Sequence, residues 1–164
     1  MSIPHPKPHP KPHCQPHPHP IPKELVDLAR DAAAEASKVD PSLPGEFRPD
    51  LCLANYYSGG GRLGMHQDKD ESEASLRAGL PVVSLSLGDA CDFCYAPVPK
   101  KTINRGDSGA FPGEKTVRLE SGDLLVFGGP ARLIFHGVKK IHNAARPKGL
   151  LMRAGRLNLT FRQY

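Results

Sequence analysis

From residue 50 onward, apolar and polar positions alternate in short runs, each closed by glycine, proline or a charged cluster. The runs are "LCLANYY", "RLGMHQ", "PVVSLSLG", "DFCYA", "KTVRLE", "DLLVFGG", "RLIFHGV" and "GRLNLTFRQ". A period of two belongs to half-buried strands, and many short strands at close intervals predict a mainly β, antiparallel sandwich or barrel of the jelly-roll kind. Upstream, in "KELVDLARDAAAEASKV", the period changes. Leu25, Leu28, Ala29, Ala32 and Ala36 recur at helical spacing and Pro41 ends the pattern, which predicts one flanking N-terminal helix over residues 23 to 38.

The first 22 residues follow neither period. They hold nine of the 18 prolines and five of the eight histidines. Proline at nearly every second position removes amide donors and disfavours helix, so a disordered, polyproline-II-like His-Pro tail is expected over 1–22, with one domain over 23–164. Its imidazoles could capture a metal ion, or the segment could be a plain linker. Between Pro97 and Lys115 a second aperiodic stretch reads as an exposed insertion. Its Lys100, Lys101 and Arg105, near Tyr95, are either solvated charges or nucleic-acid contacts.

At 164 residues the chain has room for one domain, and a monomer is the expected state. A net charge of +5 mildly favours anionic partners without naming one. The spacing of Cys14, Cys52, Cys91 and Cys94 is not that of a secreted disulfide scaffold, which points to reduced thiols in an intracellular setting, cytoplasm or nucleus by default. No apolar run approaches the ~18 residues of a membrane span, so no membrane partner is expected. Cys91 and Cys94 make a C-x-x-C, but on a strand positions i and i+3 face opposite ways. A metal or redox role would need that strand to break.

The chemistry sits in "LGMHQDKDE", residues 63 to 71. On a strand His66 and Asp68 project to the same side, offering an imidazole and a carboxylate to one ion. Outside the tail only His136 and His142 can supply another imidazole. His136 closes the strand-like "RLIFH", where a jelly-roll strand could return beside the first, whereas His142 reads as a surface histidine. Two histidines and a carboxylate on one face, with open positions opposite, form the facial triad of non-haem Fe(II) oxygenases; the alternative is an ordinary charged loop. In "GRLNLTFRQY", Arg156, Asn158, Thr160 and Arg162 alternate with Leu157, Leu159 and Phe161. If that face is interior, the two arginines need carboxylate partners, and a dicarboxylate offers one for each; the alternative is an exposed strand face with both arginines in solvent.

Taken together, "NYYSGGGRLGMHQDKDE", "PVVSLSLGD", "LESGDLLVFGGPARLIFHGV" and "GRLNLTFRQ" resemble the AlkB family of Fe(II)- and 2-oxoglutarate-dependent dioxygenases over residues 47 to 163. The resemblance implies a double-stranded β-helix with iron held by His66, Asp68 and His136. It also implies that Arg156, with Asn55 and Tyr57, meets the distal carboxylate of 2-oxoglutarate, while Arg162 and Asn158 lie at its iron-chelating end. The family consumes O2 and 2-oxoglutarate, releases succinate and CO2, and removes N-methyl groups from bases in DNA or RNA as formaldehyde. Asp70 matches a base-contacting acidic position, or is a surface carboxylate paired with Lys69 or Arg77. The chain has no tryptophan, and its first 22 residues are the tail where repair-type members carry a nucleotide lid. Two alternatives follow: a dioxygenase acting on a protein or small molecule, and an inactive nucleic-acid- or metal-binding module.

Overall fold

The computed structural model describes residues 19–97 and 111–164. The expectations for residues 1–18 and for Lys100, Lys101 and Arg105 lie outside the described residues. Helix α1 (Lys23–Val39) is followed by strands β1 (Leu51–Tyr57) and β2 (Leu63–His66), a short helix α2 (Glu73–Arg77), and strands β3 (Val82–Gly88) and β4 (Ala90–Ala96). The chain continues through β5 (Lys115–Leu119), β6 (Leu124–Phe127), β7 (Phe135–His142) and β8 (Arg156–Arg162). Two four-stranded antiparallel sheets result, ordered β1-β8-β3-β6 and β2-β7-β4-β5. This is the mainly β, two-sheet arrangement that the alternating pattern predicts. Among the described residues no helix is long and apolar enough to cross a membrane.

The first sheet explains the two faces of β8. Phe161 pairs with Val83 and Leu159 with Leu85, and this apolar side packs under α1, around Ala29, Ala33 and Phe47. Ala29 and Ala33 are fully buried, so small side chains bring the helix close to the sheet. Ile21, ahead of the helix, packs against the same cluster. The opposite side carries Arg156, Asn158, Thr160 and Arg162, all buried, with Ser84 and Ser86 beside them. The helix covers the greasy face, and the other face of β8 brings polar groups to a cavity that also has apolar walls such as Val82, Phe93 and Phe127.

Four features depart from the sequence pattern. The strand in "RLGMHQ" ends at His66, so Asp68 lies beyond it in irregular chain. In "RLIFHGV" the first three residues precede the strand, with Arg132 and Leu133 in a turn after a 3-10 segment, Gly129–Ala131; His136 is therefore the second residue of β7 instead of closing a strand. Helix α2 is unanticipated, and Ser72 caps it by accepting the Ser75 amide at 3.1 Å. A register shift between Asp92 and Phe93 interrupts β4 within the C-x-x-C. Even so, Cys91 sits in the core of the second sheet, and the buried Cys94 contacts Met65 at 3.4 Å.

Candidate metal and cosubstrate site

Strand pairing brings the first two candidate ligands together. β2 lies against β7 with His66 directly opposite His136, and their ring centroids are 4.4 Å apart. The approach depends on Gly137, where a Cβ would meet the Leu63 carbonyl oxygen at 2.5 Å. Asp68 completes the group, with Oδ1 3.5 Å from His66 Nε2 and Oδ2 3.7 Å from His136 Nε2. One donor atom from each residue lies within 4.8 Å of the others.

Backbone contacts set the tautomers. His66 Nδ1 is 2.9 Å from the Gly64 carbonyl and His136 Nδ1 is 3.3 Å from that of Ile134. A carbonyl only accepts, so each Nδ1 carries a proton, and Nε2, on the Asp68 side, is the atom of each ring that can give up its proton for a metal. The two imidazoles differ electrostatically. The neighbouring Asp68 carboxylate holds His66 above the usual histidine value, whereas burial pushes His136 below it. Burial alone would raise Asp68, but the hydrogen bond from His66 and the charge of Arg162 outweigh it and leave its carboxyl below the ordinary range.

A cavity of about 500 Å³, counting its open mouth, extends from this triad between the sheets. Asn55, Tyr57, Asn158 and both β8 arginines line it. Arg162 reaches the metal end, with Nη2 2.5 Å from Asp68 Oδ1. Arg156 lies six residues away along the strand, where Nη2 donates to Ser86 Oγ at 3.0 Å and the guanidinium sits 5.7 Å from the Tyr57 ring centroid. Arg156 is only 2% exposed, and its Nε has no hydrogen-bond partner in the described structure. A buried guanidinium without a carboxylate is costly, so its place on the cavity wall suits an anionic ligand. Asn158 donates to Ser84 Oγ at 2.7 Å and accepts from Thr160, which fixes its orientation.

Two other candidates lie outside this group. Asp70 is exposed, makes no ion pair among the described residues, and does not line the cavity; Arg77 pairs instead with Glu73. His142 bonds Asp92 at 2.7 Å across from β4, away from the triad. The sequence pattern missed Glu71 and Arg132, which form a buried ion pair behind Asp68. Glu71 is hidden in a run of acidic residues, and Arg132 in an apolar segment read as strand.

The donor set fits a divalent transition metal: two neutral imidazoles and a carboxylate on one wall, with the cavity open on the other side. Comparison with known proteins agrees. The family model for the 2OG-Fe(II) oxygenase superfamily matches residues 5–162. The chain belongs to this superfamily. An Arabidopsis thaliana protein named DNA N(6)-methyladenine demethylase ALKBH1C is 53% identical over 120 residues, covering 71% of this chain and 24% of its own length. The alpha-ketoglutarate-dependent dioxygenase AlkB of Escherichia coli (strain K12) is 41% identical over 118 residues, covering 72% of this chain and 47% of that protein. The solved structure of OsALKBH1 matches with a TM-score of 0.74 at 43% identity, covering 87% of this chain and 66% of that one. The resemblance carried by the sequence motifs is thus to true relatives, and the two-sheet fold is shared with OsALKBH1. The chain spans between 24% and 47% of the length of these two curated relatives.

Proposed function

We propose that this chain is an Fe(II)- and 2-oxoglutarate-dependent dioxygenase that oxidatively removes N-methyl groups from bases in DNA or RNA. The observation that carries the proposal is the joint placement of His66, Asp68 and His136 at one end of a cavity that also holds two buried arginines. The relatives named as a DNA N(6)-methyladenine demethylase and, in Schizosaccharomyces pombe, as the tRNA demethylase abh1 support a methylated nucleic acid as substrate.

His66 and His136 would hold iron through Nε2 and Asp68 through a carboxylate oxygen. With 2-oxoglutarate and O2, the iron supplies the oxidising power that hydroxylates an N-methyl group. Arg156, beside Tyr57 and Asn55, offers its guanidinium to the far carboxylate of 2-oxoglutarate. Arg162, beside Asp68, and Asn158, between the two arginines on β8, would orient the chelating portion. The buried walls limit water around the reacting centre. Asp70, exposed two residues beyond Asp68, is proposed to accept a hydrogen bond from a base at the cavity mouth. A base within a duplex must leave its stack to enter such a cavity, so single strands are expected to be the better substrates.

The test is a panel of 1-methyladenine, 3-methylcytosine and N6-methyladenine oligonucleotides, single- and double-stranded, scored for formaldehyde and succinate. One or more should give both products, and His66→Ala should give neither. Turnover of 2-oxoglutarate with methylated peptides alone would move the substrate to protein. Undiminished activity in His66→Ala would remove the metal assignment.

A further inference from the structure

Asp68 has a structural difficulty. It lies past the end of β2, so no strand register holds it in place, yet its side chain must point at two imidazoles. What fixes it comes from the segment leading into β7. Arg132 Nη1 donates to the Asp68 carbonyl oxygen at 2.7 Å, and Gln67 Nε2 donates to the Leu133 carbonyl at 2.6 Å. The other arm of the Arg132 guanidinium, Nη2, bonds Glu71 Oε1. One planar cation therefore ties the Asp68 carbonyl to Glu71, three residues further on, and it belongs to the segment that carries His136 four residues later.

Glu71 adds a second tie. Its Oε1 lies 3.6 Å from Arg162 Nε, while Arg162 Nη2 bonds Asp68. The four side chains form a closed, neutral cluster of two guanidiniums and two carboxylates, each 8% exposed or less. Two atoms within it, Glu71 Oε2 and Arg162 Nε, have no hydrogen-bond partner among the described residues. A metal that takes an Asp68 oxygen competes with Arg162 for that carboxylate. Glu71 then remains beside Arg162 as its counter-ion, with a carboxylate oxygen to spare.

We propose that Arg132 and Glu71 are positioning residues for the metal and cosubstrate site: Arg132 fixes the chain turn that aims Asp68, and Glu71 holds both Arg132 and Arg162 in place. The inference rests on the metal assignment above. Outer partners that orient metal ligands are commonly worth ten- to a hundredfold in metal affinity.

Co(II) titration of the full metal-free chain, without 2-oxoglutarate, is the test, read by visible absorption and alongside thermal unfolding. Wild-type chain should bind with a defined d-d band. Arg132→Met and Glu71→Gln should weaken Co(II) binding by about ten- to a hundredfold and alter that band. Arg132→Lys, whose single ammonium can serve Glu71 or the Asp68 carbonyl but not both, should fall between wild type and Arg132→Met. Asp92→Asn, which breaks the distant pair with His142, should change stability without changing Co(II) affinity. Binding and band shape unchanged in Arg132→Met and Glu71→Gln, with stability lowered, would make the pair merely structural and overturn the proposal. If either variant does not fold, Arg132→Lys decides, and wild-type affinity there overturns it equally. No Co(II) binding by the wild-type chain would instead strike the metal assignment itself.

Discussion

Arg156 and Arg162 are both buried arginines on the same face of one strand, yet their surroundings separate their roles. Arg162 already has a carboxylate in Asp68; among the described residues Arg156 has a serine hydroxyl, the Cys91 thiol and the face of Tyr57, and no carboxylate in an ion pair. A ligand carboxylate would therefore be the first anion that Arg156 meets. Arg156→Met is expected to weaken 2-oxoglutarate binding by about ten- to a hundredfold, since a charge-assisted hydrogen bond is worth roughly 1.5–3 kcal/mol. Metal affinity without cosubstrate should stay at the wild-type level, and calorimetric titration of 2-oxoglutarate into Mn(II)-loaded, oxygen-free protein separates the two. Equal loss of metal and cosubstrate binding would refute this division. At this scale most of the site was legible. Residue type and alternation made His66, Asp68, His136, Arg156 and Arg162 candidates, and the family resemblance grouped them. Glu71 and Arg132 were not legible, since their partners are distant in the chain: 61 residues separate the two from each other.

Among the elements, β8 shows how one strand serves two environments. Leu159 and Phe161 pack in the cluster under α1, while Arg156, Asn158, Thr160 and Arg162 line the cavity, so stability and binding divide along the pleat. Phe161 is completely buried between helix and sheet. Phe161→Ala should cost about 3–5 kcal/mol by loss of burial and creation of a cavity. Urea unfolding measures that loss, and the surviving folded fraction should still bind Mn(II) as wild type does. The alternation of β8 and the helical spacing of α1 were readable because each element follows one period throughout. The start of β7 was not. "RLIF" has the composition of a strand, but Gly129 and Pro130 turn the chain into a 3-10 segment, and Arg132 is buried by a distant ion pair. Asp68 lies beside the two histidines, but not for the reason the pattern offered: the i, i+2 rule applies within a strand, and β2 stops before it.

For the whole molecule, the triad joins the two sides of a strand pairing and reaches through Arg162 into the other sheet, so a bound metal should act as a clasp. A metal held one hundredfold above its dissociation constant adds about 2.7 kcal/mol to stability, worth about 5–10 °C in Tm for a chain of this size. Chelation with EDTA should remove that increment. The increment should also depend on pH, with a sign set by the two imidazoles. Metal requires the unprotonated Nε2, so protons compete with it and the apparent Kd rises as pH falls. Asp68 raises the pKa of His66, so competition at that ligand begins at a higher pH than for a free imidazole. Burial lowers the pKa of His136, so its proton enters only under more acidic conditions. As pH falls, log Kd should therefore pass from a flat limb to a rise of about one unit per pH unit, and toward two only at the acidic end of the range between about pH 5 and 8. Mn(II) titrations across that range provide the measurement. A slope of two from the outset would mean that the imidazoles titrate together, and a flat profile that protons do not compete for the donors assigned to the metal.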